Sequence, residues 1–359
     1  MKQLPLFPEQ ASTIAGRVDA LFYFLLIITG FLSLLVVLLI IYFAIKYHRR
    51  SEAERPRPVE GSLPLEILWT VFTFGLFMVM FFWGASIYST LAHPPEDALD
   101  IYVIGKQWMW KFQHSGGQRE INELHIPVDR PIKLIMSSQD VIHDVFVPAF
   151  RVKGDVIPGR YTTLWFQATK PGTYHLFCAE YCGTQHSGMI GRVIVMEPAQ
   201  YQAWLSGNVI QQAGALTPSP VMTGEAPTSG TPQGSTSPAG VTTGMAPGSA
   251  APLAEAPGTG AAEGSLASAG EKLFRDLGCI TCHRLGTQGR GPNLVGIFGK
   301  SIALQNGETV VADENYLRES ILHPQAKIVA GFQPIMPPYE GRLSEEELIQ
   351  LIAYIKSLK

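Results

Sequence analysis

Charged residues are scarce in this chain, and two long segments contain none. Asp, Glu, Lys and Arg make up 16% of the 359 residues, and none of them occurs within residues 20–45 or 67–91. Each segment exceeds the roughly 20 apolar residues that a helix needs to cross a bilayer. A buried core helix is rarely so long, and a signal peptide has a shorter apolar run. The two segments therefore predict a transmembrane hairpin within residues 1–98.

The basic residues near these spans predict their orientation. The loop between the spans carries a cluster of cationic residues, namely Lys46, Arg49, Arg50, Arg55 and Arg57. The positive-inside rule places such a loop in the cytoplasm. We therefore expect both chain termini on the extracytoplasmic side of a bacterial cell membrane.

Cysteine is also scarce, and the four cysteines fall into two motifs, within residues 178–189 and 279–283. None remains for a structural disulfide elsewhere. Both motifs would have to be assembled outside the cytoplasm, which agrees with the predicted topology.

The first motif offers two thiols, an imidazole and a thioether, from Cys178, Cys182, His186 and Met189. A disulfide is the most common use of two such cysteines in an oxidising compartment, and zinc is the next. Neither explains the thioether, which is a soft ligand that suits copper. Two thiolates on one short loop can bridge two copper ions. His143, in an apolar segment upstream, could be a hydrogen-bonded core residue, but it is the better candidate for a second imidazole ligand.

Residues 15–205, with the motif above and the segment 153–160, resemble subunit II of cytochrome c oxidase with its binuclear copper (CuA) domain. The resemblance implies two bridging thiolates, two terminal imidazoles and two weak axial ligands, namely Cys178, Cys182, His143, His186, Met189 and the backbone carbonyl of Glu180. It also implies that the Glu180 carboxylate reaches a magnesium site shared with the catalytic subunit.

The same resemblance gives roles to two other residues. Trp108 corresponds to the surface residue through which the family receives electrons from cytochrome c, although two tryptophans at strand spacing, here Trp108 and Trp110, are usually packing residues. Met109 replaces a tyrosine that is common in the family. Glu66 corresponds to the residue that opens a proton path into the catalytic subunit. An acidic residue at a helix N-terminus is otherwise commonly a favourable partner of the helix dipole.

Residues 99–206 are predicted to form an all-β domain. Gly, Pro, Asp and Asn separate short runs rich in β-branched and aromatic residues, at residues 101–104, 109–112, 132–136, 161–166, 173–177 and 190–196. This number of short strands favours a sandwich or a barrel. The resemblance implies a cupredoxin-like Greek-key barrel.

Aromatic residues are absent from residues 215–265, where the only charged residues are Glu225, Glu255 and Glu263. Such a composition cannot bury enough apolar surface to fold. We therefore predict that residues 207–265 are a flexible linker with a reach of roughly 40 Å. The linker would keep the following domain near the copper domain at an effective concentration on the order of millimolar.

Residues 266–359 carry the second motif. Cys279, Cys282 and His283 have the Cys-x-x-Cys-His spacing of a c-type haem site, in which the cysteines form thioethers and the histidine binds iron. A redox dithiol or half a zinc site would need a βαβ context or further cysteines. Met336, between prolines, is predicted to be the second axial ligand and not a core residue. The segment resembles a class I cytochrome c domain, with an all-α fold and helices predicted at residues 267–276, 314–322 and 344–358.

These motifs predict the electron-input subunit of a proton-pumping, caa3-type terminal oxidase. A donor such as a cytochrome c or a quinol-oxidising complex would supply electrons, which pass through haem and copper to a separate catalytic subunit I that reduces oxygen among other membrane subunits. The spans have no histidine cluster, so this chain has no catalytic oxygen site, and nucleic acid is not an expected partner. The alternatives are the matching subunit of a copper-containing nitric oxide reductase and a membrane-tethered electron carrier or copper-delivery protein. The histidines outside the two motifs are expected to be ordinary surface or strand residues, namely His48, His93, His114, His125, His175 and His323.

Overall fold

The computed structural model describes residues 7–54, 61–207, 265–287 and 289–359. Nearly all of the predicted linker therefore lies outside the described residues, as do Arg55 and Arg57. The fold begins with two long helices, α1 (Ala15–Lys46) and α2 (Leu63–Ala92). Their most apolar stretches have mean hydropathies of 3.1 and 2.0, and both helices are long enough to cross a membrane. Each extends beyond the predicted span at both ends.

The hairpin is joined to the next domain at the end where α1 begins and α2 finishes. Arg151 donates from Nε to Oδ1 of Asp19 in the first turns of α1, at 2.7 Å. Near the end of α2, the backbone carbonyl of Thr90 accepts a hydrogen bond of 3.0 Å from the indole of Trp165. These contacts hold the base of the β domain against the helices.

The middle of the chain forms the predicted β domain, which contains ten strands and a closing helix. The strands are β1 (Leu99–Lys106), β2 (Met109–His114), β3 (Arg119–Ile121), β4 (Glu123–Pro127), β5 (Pro131–Ser138), β6 (His143–Val147), β7 (Val152–Val156), β8 (Thr162–Gln167), β9 (Gly172–Cys178) and β10 (Ile190–Met196), and the helix is α3 (Pro198–Leu205). The first sheet has the order β3-β2-β1-β5-β8 and the second β4-β10-β9-β6-β7. Parallel pairs β1–β5 and β4–β10 combine with antiparallel neighbours. The domain is therefore rich in β-sheet and cupredoxin-like, as predicted, and its strands form two separate five-stranded sheets.

The core of the β domain lies between the two sheets. Trp110, Phe112, Phe150 and Phe166 are among its largest fully buried side chains. Because successive side chains of a strand point to opposite faces, only alternate residues of each strand reach this core.

The C-terminal domain is helical, as predicted. It contains α4 (Leu266–Asp276), the short hairpin β11 (Ser301–Ala303) and β12 (Thr309–Val311), α5 (Glu314–Leu322) and α6 (Glu345–Ser357). Helices α4 and α6 cross so closely that a Cβ added to Gly270 would lie 1.9 Å from the carbonyl oxygen of Gln350. Helix α6 begins with a capping box in which Ser344 and Glu347 satisfy each other's backbone amides.

A buried carboxylate between two histidines was not anticipated from the sequence. Glu120 accepts from Nε2 of His114 at 2.7 Å and also contacts Nδ1 of His125. Trp204 of α3 stacks on His125, with ring centroids 4.8 Å apart. Burial favours the protonated form of Glu120, but its hydrogen bonds to the imidazoles outweigh burial and lower its pKa. His114 is thus a buried residue of strand β2, within the expectation of a surface or strand position.

Replacing Glu120 with Gln is expected to destabilise the β domain by about 2 kcal/mol at neutral pH, because a buried hydrogen-bond partner is lost. The pKa of Glu120 is lowered on folding, so its contribution is present above the usual pKa of 4.5 and is lost as the pH falls below it. Thermal unfolding of the full chain should show this difference at pH 7 and a smaller one in acid. The control is Glu96→Gln at an exposed site, and equal unfolding temperatures of the two variants would refute the prediction.

Candidate functional site

Strand pairing brings the predicted copper ligands together. Strand β9 ends at Cys178, and β10 begins one residue after Met189. Strand β6 begins at His143 and pairs with β9, where Val145 lies opposite Cys178. The loop between β9 and β10 folds back through a short 3-10 turn that starts at His186. Residues far apart in sequence thus meet at one end of the sandwich.

Each thiol lies beside one imidazole. Sγ of Cys178 is 3.9 Å from Nδ1 of His143, and Sγ of Cys182 is 3.5 Å from Nδ1 of His186. The two sulfurs are 3.8 Å apart, and no bond joins them. Cys178 and Cys182 are therefore free thiols and do not form a disulfide.

The two predicted weak ligands complete the cluster from either side. Sδ of Met189 lies 3.8 Å from Sγ of Cys182, and the carbonyl oxygen of Glu180 lies 3.2 Å from Sγ of Cys178. The carboxylate of Glu180 belongs to an exposed residue. The structure thus brings all of the predicted copper ligands together.

The site is mostly buried, and its charges are coupled. His143, Cys182 and Met189 are 0%, 2% and 1% exposed. Burial opposes ionisation of Cys178, but the hydrogen bond from His143 and nearby backbone amides lower its pKa to about 7. Burial and the neighbouring Cys178 raise the pKa of Cys182 to about 12. Two thiolates in this pocket would need cations to balance them, which fits a metal-binding donor set.

Asp140 is a functional residue that the sequence reasoning missed. Its Oδ1 lies 2.8 Å from Nε2 of His143, and its Oδ2 accepts from the backbone amide of Gln107 at 2.8 Å. A carboxylate that binds the second nitrogen of a metal-binding histidine fixes the orientation of the ring. Here it leaves Nδ1 of His143 directed at the thiols. An acidic residue three positions before the histidine was the available signal.

Trp108 directly contacts the loop between β9 and β10 (residues 179–189), which we name the copper loop after its predicted ligands. Its indole donates to the carbonyl of Cys182 at 3.3 Å, and the side-chain amide of Gln107 donates to the same oxygen at 2.7 Å. Trp110 is fully buried, with its ring 5.9 Å from that of His143. Both tryptophans thus lie beside predicted copper ligands.

The second motif lines a mainly apolar cavity of about 360 Å³ in the C-terminal domain. Cys279, Cys282, His283 and Met336 all contribute to its wall. Nδ1 of His283 lies 2.9 Å from the carbonyl oxygen of Pro292. A proton on Nδ1 would be held by this carbonyl, which leaves Nε2 free to bind iron. The cavity and the orientation of this imidazole fit a haem, and the role of Pro292 could not be read from the motif.

Glu66 lies apart from both sites. It is exposed in the first turn of α2, where a carboxylate interacts favourably with the helix dipole.

Comparison with known proteins identifies the three parts of the chain. The family model of the cytochrome c oxidase subunit II transmembrane domain matches residues 1–84, and that of its periplasmic domain matches residues 116–197. The cytochrome c family model matches residues 267–359.

Curated relatives give the same result. Cytochrome c oxidase subunit 2 of Synechocystis sp. is 32% identical over 276 residues, which cover 63% of this chain and 82% of the relative. The subunit 2 of Alkalihalophilus pseudofirmus is 28% identical over 344 residues, which cover 93% of this chain and 85% of the relative. A crystal structure of the periplasmic domain of subunit II from Bradyrhizobium japonicum matches with 32% identity and a TM-score of 0.31, and covers 32% of this chain and 96% of that chain.

The family models and the curated relatives support a two-span membrane protein with a role in electron input to an oxidoreductase. The subunit II models imply copper in the β domain, and the cytochrome c model implies haem in the C-terminal domain. The chain belongs to the cytochrome c oxidase subunit II family and carries a cytochrome c domain at its C-terminal end.

Proposed function

We propose that this chain holds a binuclear copper centre and one covalent haem c, and that it supplies electrons to the oxygen-reducing subunit of a terminal oxidase. The observation that carries the proposal is the arrangement of two thiols 3.8 Å apart, each beside its own imidazole. When bound, the copper pair and the haem iron each accept and release one electron. The domain limits that we propose are residues 1–98, 99–206, 207–265 and 266–359.

In the copper site, Cys178 and Cys182 would bridge the ions and His143 and His186 would be the terminal ligands. Met189, beside Sγ of Cys182, and the carbonyl of Glu180, beside Sγ of Cys178, would be the weak axial ligands. The strands that carry these residues hold them in a buried pocket. A rigid, dry set of ligands limits the structural change that accompanies each electron transfer.

In the cytochrome domain (residues 266–359), the thiols of Cys279 and Cys282 would form thioethers to the haem. His283, oriented by the carbonyl of Pro292, and Met336 would be the axial ligands of the iron. The mainly apolar wall of the cavity would limit the contact of the bound group with water.

Three residues would connect the chain to its surroundings. Trp108, whose indole donates a hydrogen bond to the carbonyl of Cys182, would be a point of electron entry to the copper site. The exposed carboxylate of Glu180 would reach a magnesium ion shared with catalytic subunit I. Glu66 would open a proton path into that subunit, which requires the basic loop to be cytoplasmic and both termini to be extracytoplasmic. The external donor would be a cytochrome c or a quinol-oxidising complex.

Purification of the chain from its membrane in mild detergent tests this function. We expect a large haem-bearing membrane subunit to purify with it and the complex to reduce oxygen. Purification of the chain alone would favour an electron carrier, and turnover of nitric oxide without oxygen reduction would favour the reductase.

Asp140→Asn should weaken copper binding by about 10- to 100-fold, because the orienting partner of His143 is altered. Competition for copper between the full chain and a chelator measures this affinity. Asp97→Asn, an exposed site outside the copper loop, is the matched control. Copper affinity equal to that of the control would show that Asp140 does not position His143.

Met336→Leu should leave the haem attached and lower its reduction potential, because methionine ligation raises the potential of a c-type haem. Spectroelectrochemical titration of the full chain measures the potential, and denaturing electrophoresis with haem staining measures attachment. Met196→Leu, at the end of β10, is the control. An unchanged potential in Met336→Leu would exclude Met336 as a ligand.

A further inference from the structure

The outer face of the first sheet is covered by the cytochrome domain. Tyr102 and Ile104 of β1 and Ile135 of β5 point away from the core of the β domain, yet they are 3%, 0% and 0% exposed. They belong to an apolar cluster made largely of cytochrome-domain residues. The sequence agrees, since residues 101–104 are apolar without alternation, which is typical of a strand covered on both faces.

Four alternating charges border this apolar contact, two from each domain. Nζ of Lys356 lies 2.8 Å from Asp100 of β1 and 2.7 Å from Glu314 of its own domain. Lys133 of β5 lies 3.9 Å from Asp100 and 3.7 Å from Glu314. Their side chains are 11–28% exposed, so each charge is largely removed from water and depends on its opposite partners. We name these residues the charge cluster.

Burial opposes the charged forms of Lys356 and Glu314, but the oppositely charged neighbours of each residue outweigh the effect of burial. The pKa of Lys356 is raised by Tyr102, Glu314 and Asp100. The pKa of Glu314 is lowered by Lys356 and Lys133. Both groups therefore stay charged at neutral pH, and the charges of the cluster sum to zero.

Directional hydrogen bonds fix the register of the two domains. The side chain of Asn315 accepts from the backbone amide of Tyr161 at 2.7 Å and donates to its carbonyl at 3.2 Å. The guanidinium of Arg318 lies 5.2 Å from the centre of the Tyr161 ring. At the other side of the contact, Lys111 of β2 pairs with Glu346 of α6 at 2.6 Å. Such contacts specify one orientation, which apolar burial alone does not.

Helix α5 serves both the contact and the haem cavity. Glu314, Asn315 and Arg318 make contacts described above, whereas Leu317 and Ile321 line the cavity. The cavity therefore lies directly behind the helix that touches the β domain.

The contact also ends at a proposed copper ligand. Gly105 follows the interface residue Ile104 on β1, and a Cβ added to Gly105 would lie 2.8 Å from Cδ2 of His143. Two consecutive residues of β1 thus contact the cytochrome domain and the His143 ring, respectively. The copper loop itself stays open, since Tyr181 beside Cys182 is 75% exposed.

We infer that the outer face of the first sheet is a specific docking surface for the cytochrome domain of this chain, held by the charge cluster, through which electrons reach the copper site on its His143 side. The open loop at Tyr181 then remains available to a separate partner while the cytochrome domain is docked. The electron route rests on the proposed function, whereas the docking does not.

Charge-reversal variants of the cluster test the docking, and hydrogen exchange of the full chain is the measurement. Lys356→Asp leaves Lys133 alone among three carboxylates, and we expect exchange in β1 and α5 to rise about tenfold. Asp100→Lys should do the same, and the double variant, which restores the charge balance, should return exchange to within about threefold of the natural chain. Lys272→Asp, the same change at an exposed site of α4, is the matched control.

Unchanged exchange in both single variants, or a double variant no better than the singles, would overturn the docking. Slow hydrogen exchange at the α4–α6 crossing shows that the cytochrome domain remains folded. If a single variant loses this slow exchange, the docking is tested by whether the double variant restores slow exchange in β1 and α5. The rate of electron transfer from haem to copper, started by a light pulse, should fall about tenfold with each single variant and recover in the double one. Absent copper and haem signals would refute the proposed function and leave the exchange result standing.

Discussion

The pairing of β6 with β9 is the interaction on which the proposed copper site depends. It sets His143 beside Cys178, although 35 residues separate them in the chain. The β9–β10 loop then needs only to fold back to place Cys182, His186 and Met189 around the same point. Without that pairing the loop would offer two thiols, one thioether and only one imidazole, so one of the two terminal imidazole ligands of the proposed centre would be missing. A long-range strand register thus decides the chemistry of a short local motif.

A second long-range contact relates the two redox domains. Both faces of β1 are buried, one by the core of the sandwich and the other by the cytochrome domain. Strand β1 therefore contacts both the cytochrome domain and a proposed copper ligand, because Gly105 near its end packs on the ring of His143. Charges at such a contact are worth little when fully exposed. Here they are largely buried and alternate in sign, which favours one arrangement of the domains.

The sequence predicted those features that are encoded locally. The membrane helices follow from long uncharged runs, and the three helices of the cytochrome domain begin and end within a few residues of their predicted positions. The metal and haem motifs follow from spacing. The sequence could not predict three contacts: that of Asp140 with His143, that of Glu120 with His114 and His125, and that of Asn315 with Tyr161. Those contacts depend on turn geometry, strand register and domain packing. Strands β3, β4, β6 and β7 were not among the predicted runs, since they are short or interrupted by polar residues.

The central claim is that two copper ions share the ligands around Cys178 and Cys182. The most direct test is electron paramagnetic resonance of the purified full chain, with copper and haem quantified in the same sample. We predict two copper ions and one haem per chain, with one unpaired electron coupled equally to two copper nuclei. A signal coupled to a single copper nucleus, or a chain that binds no copper, would contradict this account.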